Sequence, residues 1–576
     1  MVLQGYRAGD ERDPRYVPVM SEMTGGEAVA ATLARMGVRH VFGIVSVHNL
    51  PMYEALSVRH DIEVVKVRHE QAAAHAADAY YRATGEMGVL LTSTGPGAAN
   101  AVPGLYEASF TSSAVLMVTG QTESRFYGKG KGFLHENDQQ VDMLRTVCRS
   151  VASVRHPSEI SAEIARVADD VRTGRPQPGA VEIPIDFQYA QVDDTPLEGS
   201  PEVTRLRPDG ALLDDAAERL AAAQRPLIWA GGGVVGADAS AELTALAERL
   251  GAPVVTTIEG RSALSELHPL SLGFRSDRPQ MAEVFADADL LLAVGTRFQN
   301  YATKVWALRL PEELIHLDAD PGVIGLNYPA SLAVVGDAKL SLAGLLERLG
   351  DRSPTIDDGY VERARKHRAA DIEAMRDEIG ADHAAICDAI RRILPDEARI
   401  VRDTTVPGYM WGNRLLPIVA PRTSIRAANA AIGPGVPMAV GASLASGQPT
   451  VVIQGDGGLM LSIGEISTLA EHGLPVIVCV FNDGGYGVLR IIQDALWDEH
   501  HGTEIGGIDF VGVAEAMGVP GQRVASADEF EEAFSQAVAR ASGETGPVGP
   551  TLIDIDLTAL IPITFPLPAH QRRREN

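Results

Sequence analysis

The sequence predicts an α/β protein of three consecutive doubly wound parallel-sheet domains, and three observations carry that expectation. Short apolar runs alternate with helical patterns along most of the chain. Two polar, proline-containing stretches, QVDDTPLEGSPEVTRLRPD at 191–209 and DRSPTIDDG at 351–359, interrupt the alternation, which resumes after each. At 576 residues the chain also exceeds what one core serves, since a domain takes roughly 100–200 residues.

Residues 1–22 contain no apolar segment and read as a flexible N-terminal arm. Across 23–190 the helical pattern GGEAVAATLARMG alternates with the strand-like runs VRHVFGI, GVLLTSTGP, SAVLMVTG and GAVEIPID. The second domain, 205–350, opens with RPLIWAGGGVVGADASAELTALAERLGAPVVTT, which reads strand, glycine turn, helix, strand, and continues through DLLLAVGTRF and ELIHLDADP. Its turn GGGVVG approximates the GxGxxG of a Rossmann-like nucleotide fold, and equally suits a plain tight turn between strand and helix. A charged helix leads into the third domain, 372–557, with strand candidates RIVRDTT, TVVIQGDGG, PVIVCVFND and TLIDIDL. The tail, 558–576, carries three prolines and ends HQRRREN, a composition that opposes regular structure.

Charge narrows the function class. Fifty Lys and Arg against 76 Asp and Glu leave a net charge of −26, which repels nucleic acid and anionic membranes. No apolar run approaches the ~18 residues of a membrane span. Cys148, Cys387 and Cys479 are too far apart for a zinc motif, and their scarcity fits a soluble cytoplasmic protein.

The chemistry concentrates in GDGGLMLSIGEISTLAEHGLPVIVCVFNDGG, residues 455–485. Asp456 and Asn482 each follow an apolar strand, so both leave the sheet at carboxyl ends, where open α/β sheets bind ligands. A carboxylate, an amide and a turn carbonyl suit Mg2+, which takes its other ligands from water and substrate phosphates. Gly455, Gly457 and Gly458 let backbone N–H groups approach those phosphates closely.

GDG followed after twenty-four residues by Asn resembles the anchoring motif of thiamine-diphosphate enzymes, and the three-domain order resembles their acetohydroxyacid synthase, pyruvate oxidase and decarboxylase branch. The resemblance implies pyrimidine-binding, central and diphosphate-binding domains in that order. It places Mg2+ on Asp456, Asn482 and the Gly484 carbonyl, and the diphosphate against Gly457 and Gly458. It assigns Glu70, in VVKVRHEQAAAHAAD, to the aminopyrimidine ring, where an apolar setting would favour proton sharing; a glutamate in a first helical turn also suits the helix dipole. Ile432, in NAAIGPGVPMAVGA, matches the aliphatic residue that bends the cofactor. The central domain of this family carries FAD, ADP or nothing, and the family assembles as homodimers or homotetramers.

The reaction depends on the substrate side. In acetohydroxyacid synthases the stretch matching 43–51 holds a Pro-Gly-Gly turn; here it reads GIVSVHNLP. His48 resembles the proton relay of benzaldehyde lyase, or caps the next helix, a task for which Asn49 is better placed. GGYGVLRIIQDALWDEHHG resembles the pocket helix of benzoylformate decarboxylase, with Val488, Leu489 and Ile492 as an apolar wall. Gln493 follows as a hydrogen-bonding residue or a plain surface glutamine. Gln121 and His135 are further candidates. Lys129, Lys131, Arg572, Arg573 and Arg574 read as solvated charges or as contacts to coenzyme A phosphates, the tail then closing as a lid.

The expectation at this stage is a C–C lyase that cleaves a 2-hydroxyacyl-CoA to formyl-CoA and a ketone or aldehyde. The alternatives are a 2-oxoacid decarboxylase or carboligase, an acetolactate synthase, and a non-catalytic binding or regulatory subunit.

Overall fold

The computed structural model describes residues 22–193, 205–497 and 499–566. Arg572, Arg573 and Arg574 lie outside the described residues, as does most of the N-terminal arm.

The first domain comprises β1 (Glu22–Thr24), β2 (His40–Gly43), β3 (Glu63–Lys66), β4 (Gly88–Thr92), β5 (Val115–Gln121), β6 (Ser150–Ser153), β7 (Gly179–Pro184) and β8 (Gln191–Asp193). The second contributes β9 (Pro226–Ala230), β10 (Val254–Thr256), β11 (Ser271–Gly273), β12 (Leu290–Val294), β13 (Glu313–Asp318) and β14 (Leu332–Val335). The third contributes β15 (Arg399–Arg402), β16 (Ser424–Arg426), β17 (Thr450–Gly455), β18 (Val476–Asn482), β19 (Gly521–Val524) and β20 (Thr551–Asp556). β1 and β8 form an antiparallel ribbon that joins the two ends of the first domain.

The other strands make three six-stranded sheets, ordered β3-β2-β4-β5-β7-β6, β11-β10-β9-β12-β13-β14 and β16-β15-β17-β18-β20-β19. Every pairing in them is parallel. Helices therefore cover both faces, which is why central strands such as VLMVTGQ and TVVIQG are buried along their whole length. Numbered within each domain, the first and third sheets share one order, 2-1-3-4-6-5. The second has the order 3-2-1-4-5-6 of a dinucleotide-binding sheet. The expected three doubly wound parallel sheets are present.

Four helices of the first domain matter for the site: α1 (Gly25–Arg35), α2 (Leu50–Ser57), α3 (Glu70–Thr84) and α4 (Pro96–Thr111). A capping box starts α1, with Thr24 and Glu27 satisfying each other's backbone N–H groups. α3 is rich in alanine, and its small side chains let it pack between α4 and the third-domain helix Gly435–Ser443. One apolar core thus spans the first and third domains. A 34-residue helix, Tyr360–Ile393, kinked at Gly380, joins the second domain to the third. The start of the tail docks on it, with the Ile561 N–H donating to Asp382 and the Thr564 N–H to the Glu378 carbonyl. Among the described residues no helix is long and apolar enough to cross a membrane.

Candidate functional site

Each sheet of the 2-1-3-4-6-5 order has a switch point between its first and third strands, the place at the strand ends where open α/β sheets form a ligand crevice. In the third domain that crevice lies beyond β15 and β17. The register pairs Gly455 with Phe481, so the next residues, Asp456 and Asn482, leave the sheet side by side. Asn482 donates from Nδ2 to Asp554 at 3.0 Å, which turns its Oδ1 toward the Gly484 N–H at 3.2 Å. Gly484 has φ +82°, a left-handed conformation that glycine adopts without strain.

Asp456 is buried, and its Oδ2 has no hydrogen-bond partner. Burial and the nearby Asp483 carboxylate push its carboxyl up to about 6. An orphaned buried carboxylate oxygen beside an amide oxygen is a donor set that lacks a cation, and Mg2+ fits it. The glycines fit a phosphate: a Cβ on Gly457 would overlap the Tyr486 ring, and one on Gly458 would overlap the Gln454 amide. Asp456, Asn482 and Gly484 could therefore hold Mg2+, and the turn at Gly457 and Gly458 a diphosphate.

Asp403, just past β15, is a residue that sequence reasoning missed. Its buried carboxylate accepts from Gly433 N–H (3.1 Å), Gly435 N–H (3.0 Å) and Gln454 Nε2 (2.6 Å). These bonds hold the loop that presents Ile432, whose side chain is 36% exposed. The signal was available: RIVRD ends an apolar strand in a carboxylate, as TVVIQGD does.

In the first domain the crevice lies beyond β2 and β4. Glu70 is the first residue of α3, whose N-cap is His69, and the preceding Arg68 N–H donates to the third-domain Glu465 at 2.9 Å. Glu70 Oε2 accepts from Asn100 Nδ2 at 3.0 Å. Gly97 is required beside it, because a Cβ there would stand 2.9 Å from the Ser93 Cβ and 3.3 Å from Glu70 Oε1.

His48, 3% exposed, follows β2, and its ring centre lies 5.1 Å from that of His135. Neither Nδ1 has a partner. Burial, then the neighbouring His135, lowers the His48 pKa from its ordinary value and favours the uncharged ring. The His48 carbonyl accepts from Gln188 Nε2 at 2.9 Å, and Gly120 leaves the space this requires. His135 itself has φ +60°. The capping reading of this stretch fails: Asn49 is the N-cap of α2 without a capping bond, because its amide folds back onto Ser46 N–H and the Ile44 carbonyl.

Other expected residues are placed differently. Gln121 is fully buried; its Nε2 donates to Glu182 at 3.1 Å and its Oε1 accepts from Thr94 at 3.2 Å. Gln493 is committed to the backbone of His501, accepting from its N–H at 2.8 Å and donating to its carbonyl at 3.1 Å. Val488, Leu489 and Ile492 lie on the helix Gly487–Leu496, none of whose residues is buried, and Leu489 is 43% exposed. Lys129 and Lys131 are exposed on the loop before His135.

A second cleft, of about 360 Å³, opens where the three domains meet, at the carboxyl ends of β9, β12 and β13. Gly233, Gly295, Asp318, Arg175, Arg297 and Arg426 are among its lining residues. Burial pushes the Asp318 carboxyl up to about 6. This is the switch point of the 3-2-1-4-5-6 sheet, where such folds take nucleotides.

Three family descriptions match the chain in order: "Thiamine pyrophosphate enzyme, N-terminal TPP binding domain" over 23–143, the central domain over 213–345, and the C-terminal TPP binding domain over 408–555. The chain is 32% identical over 540 residues to the "Probable acetolactate synthase large subunit" of Methanocaldococcus jannaschii, covering 90% of each chain. It is 34% identical over 528 residues to the "Probable 2-ketoarginine decarboxylase AruI" of Pseudomonas aeruginosa, covering 90% of this chain and 92% of that one. With the acetolactate synthase large subunit of Haemophilus influenzae it shares 30% identity over 544 residues. Matching strand orders in the first and third sheets, an orphaned Asp456 oxygen and three domain matches in sequence order agree, and the chain belongs to the thiamine pyrophosphate enzyme family.

Proposed function

We propose that this chain is a Mg2+ and thiamine-diphosphate dependent enzyme that removes the carboxyl group of a 2-oxoacid as CO2 and releases the remainder as an aldehyde. The observation that carries the reading is the buried His48 beside His135, both with a ring nitrogen unpaired. When bound, thiamine diphosphate supplies a carbon nucleophile that adds to the carbonyl and accepts the electron pair freed by C–C cleavage. Around it, Asp456, Asn482 and the Gly484 carbonyl hold Mg2+, Gly457 and Gly458 admit the diphosphate, Ile432 supports the ring junction and Glu70 shares a proton with the aminopyrimidine. His48 and His135 relay the proton that converts the decarboxylated substrate to aldehyde.

A relative named as a 2-ketoarginine decarboxylase supports this substrate class. The 2-hydroxyacyl-CoA lyase expected from the sequence is ranked below it, because the relatives' names point to acetolactate synthase and 2-ketoarginine decarboxylase instead. A second reading, condensation with a second 2-oxoacid, is favoured by the relatives named acetolactate synthase and by the open apolar helix of Val488, Leu489 and Ile492. The arginine-lined cleft of the central domain suits FAD or ADP, and the two crevices suit cofactor binding between subunits of a homodimer or homotetramer.

The deciding assay supplies Mg2+, thiamine diphosphate and a panel of 2-oxoacids, and measures CO2, aldehyde and 2-hydroxy-3-oxo acid. Aldehyde equal to CO2 is expected. A 2-hydroxy-3-oxo acid as main product selects condensation, and formyl-CoA from a 2-hydroxyacyl-CoA with no CO2 from any 2-oxoacid overturns both. His48→Ala is expected to lower aldehyde formation about 100-fold while leaving cofactor affinity within about threefold, checked by steady-state kinetics and titration calorimetry.

A further inference from the structure

The loop 427–433 connects β16 to the helix Gly435–Ser443, and its shape is imposed from outside itself. Ala430 has φ +58° and Gly433 φ +101°, and alanine adopts that region only when its surroundings hold it there. From the third domain, Asp403 binds the Gly433 N–H and the Thr404 hydroxyl donates to the Ala431 carbonyl at 2.8 Å. From the first domain, Glu107 binds the other end: its carboxylate accepts from the Ala428 N–H and, at 3.2 Å, from the Asn429 N–H. Glu107 is 1% exposed in an otherwise apolar stretch of α4, and burial, then the Asp78 carboxylate, pushes its carboxyl up to about 7, a cost that Arg82 and these two bonds reduce.

Two turns earlier on the same face of α4, seven residues away, stands Asn100, which holds Glu70. One helix, with Pro103 between the two residues, therefore holds both Glu70 and the loop bearing Ile432. Neighbouring charges brace the arrangement. Arg82 donates to the Arg426 carbonyl at 2.7 Å and to Glu259 at 2.8 Å, and Arg426 donates to Glu259 at 2.8 Å. Ile432 is the one large apolar side chain of the loop, and it is exposed on a backbone fixed at both ends.

We propose that Glu107 is a positioning residue: from the first domain it fixes the third-domain loop 427–433 so that Ile432 meets the cofactor in one conformation. The inference rests on the reading of Ile432 as the cofactor's apolar support. Glu107 touches neither substrate nor cofactor; it acts through two backbone N–H groups. Glutamine in its place keeps one acceptor and turns an NH2 toward the loop's donors, aspartate keeps both acceptors on a shorter stem, and alanine keeps neither.

The test uses full-length Glu107→Ala, Glu107→Asp and Ile432→Ala. Hydrogen exchange is read on the cofactor-free proteins, and thiamine diphosphate affinity is measured with Mg2+. In Glu107→Ala, exchange across 428–432 is expected to rise at least about tenfold while β17 is unchanged, with affinity about tenfold weaker. kcat should fall and the KM for the 2-oxoacid hold, and Glu107→Asp should recover part of each loss. Unchanged exchange at 428–432 overturns the proposal. So does a loosened loop with normal affinity when Ile432→Ala weakens binding. If Ile432→Ala also binds normally, the reading of Ile432 has failed and the proposal falls with it. Should Glu107→Ala not fold, Glu107→Asp is read against the same outcomes.

Discussion

Asp456 carries an unpaired oxygen in a buried setting, and with Asp483 nearby the apo site stores unfavourable electrostatics that a divalent cation relieves. Asp456→Ala should therefore weaken Mg2+-dependent thiamine diphosphate binding at least about a hundredfold, by calorimetry, without lowering the Tm of the apo protein. A lowered apo Tm would count against the cation-site reading. His75 gives a titration of the opposite kind. It is 1% exposed in α3, and burial lowers its pKa from 6.5 to about 4. Between those values the unfolded chain binds the proton and the folded chain does not, so stability is lost as pH falls from 6.5 toward 4. His75→Gln should remove up to about 3 kcal/mol of that acid sensitivity, read as the difference in denaturation free energy between pH 7 and pH 4.5. At this scale the sequence disclosed Asp456, Asn482 and Glu70, because each stands where a recognisable strand or helix boundary must be. Glu107 and Asp403 were missed because what they hold lies 321 and 30 residues away.

Among the elements, legibility followed burial. The strands expected from apolar runs, such as VRHVFGI, SAVLMVTG, RPLIWAG, TVVIQ and VIVCVF, all form, and most occupy sheet interiors. β6, β11, β16 and β19 carried no such signal, and all four are edge strands of three or four residues. An edge strand pairs on one side only and these are very short, β11 being buried throughout, so too few residues carry a pattern and the pairing is decided by the neighbour already in place. Helix packing is stricter. The helix Gly435–Ser443 approaches α3 so closely that a Cβ on Gly441 would enter the Ala76 carbonyl. Gly441→Ala should cost about 3 kcal/mol in chemical denaturation, since the obstacle is helix backbone that no rotamer change relieves. A change below 1 kcal/mol would mean that the two helices slide freely.

At the scale of the whole molecule, three domains meet at Arg82, Glu259 and Arg426, one residue from each. Arg82→Ala would take the cation from the fully buried Asp78 and one of two arginines from the half-buried Glu259, and a loss of about 3 kcal/mol in unfolding free energy is expected. Glu259 and Arg426 also line the central cleft, so a nucleotide bound there should raise the Tm of the wild-type protein. Local sequence by itself determined the alternating α/β units, their number and the polar residues at strand ends, because periodicity and boundary chemistry act over a few residues. Only the tertiary structure decided that the first and third sheets share one strand order, that His48 meets His135, and that α4 reaches from Glu70 to the Ile432 loop. Those pairings join residues far apart in the chain, where contact is set by how whole sheets and helices pack and leaves no periodic trace in either partner.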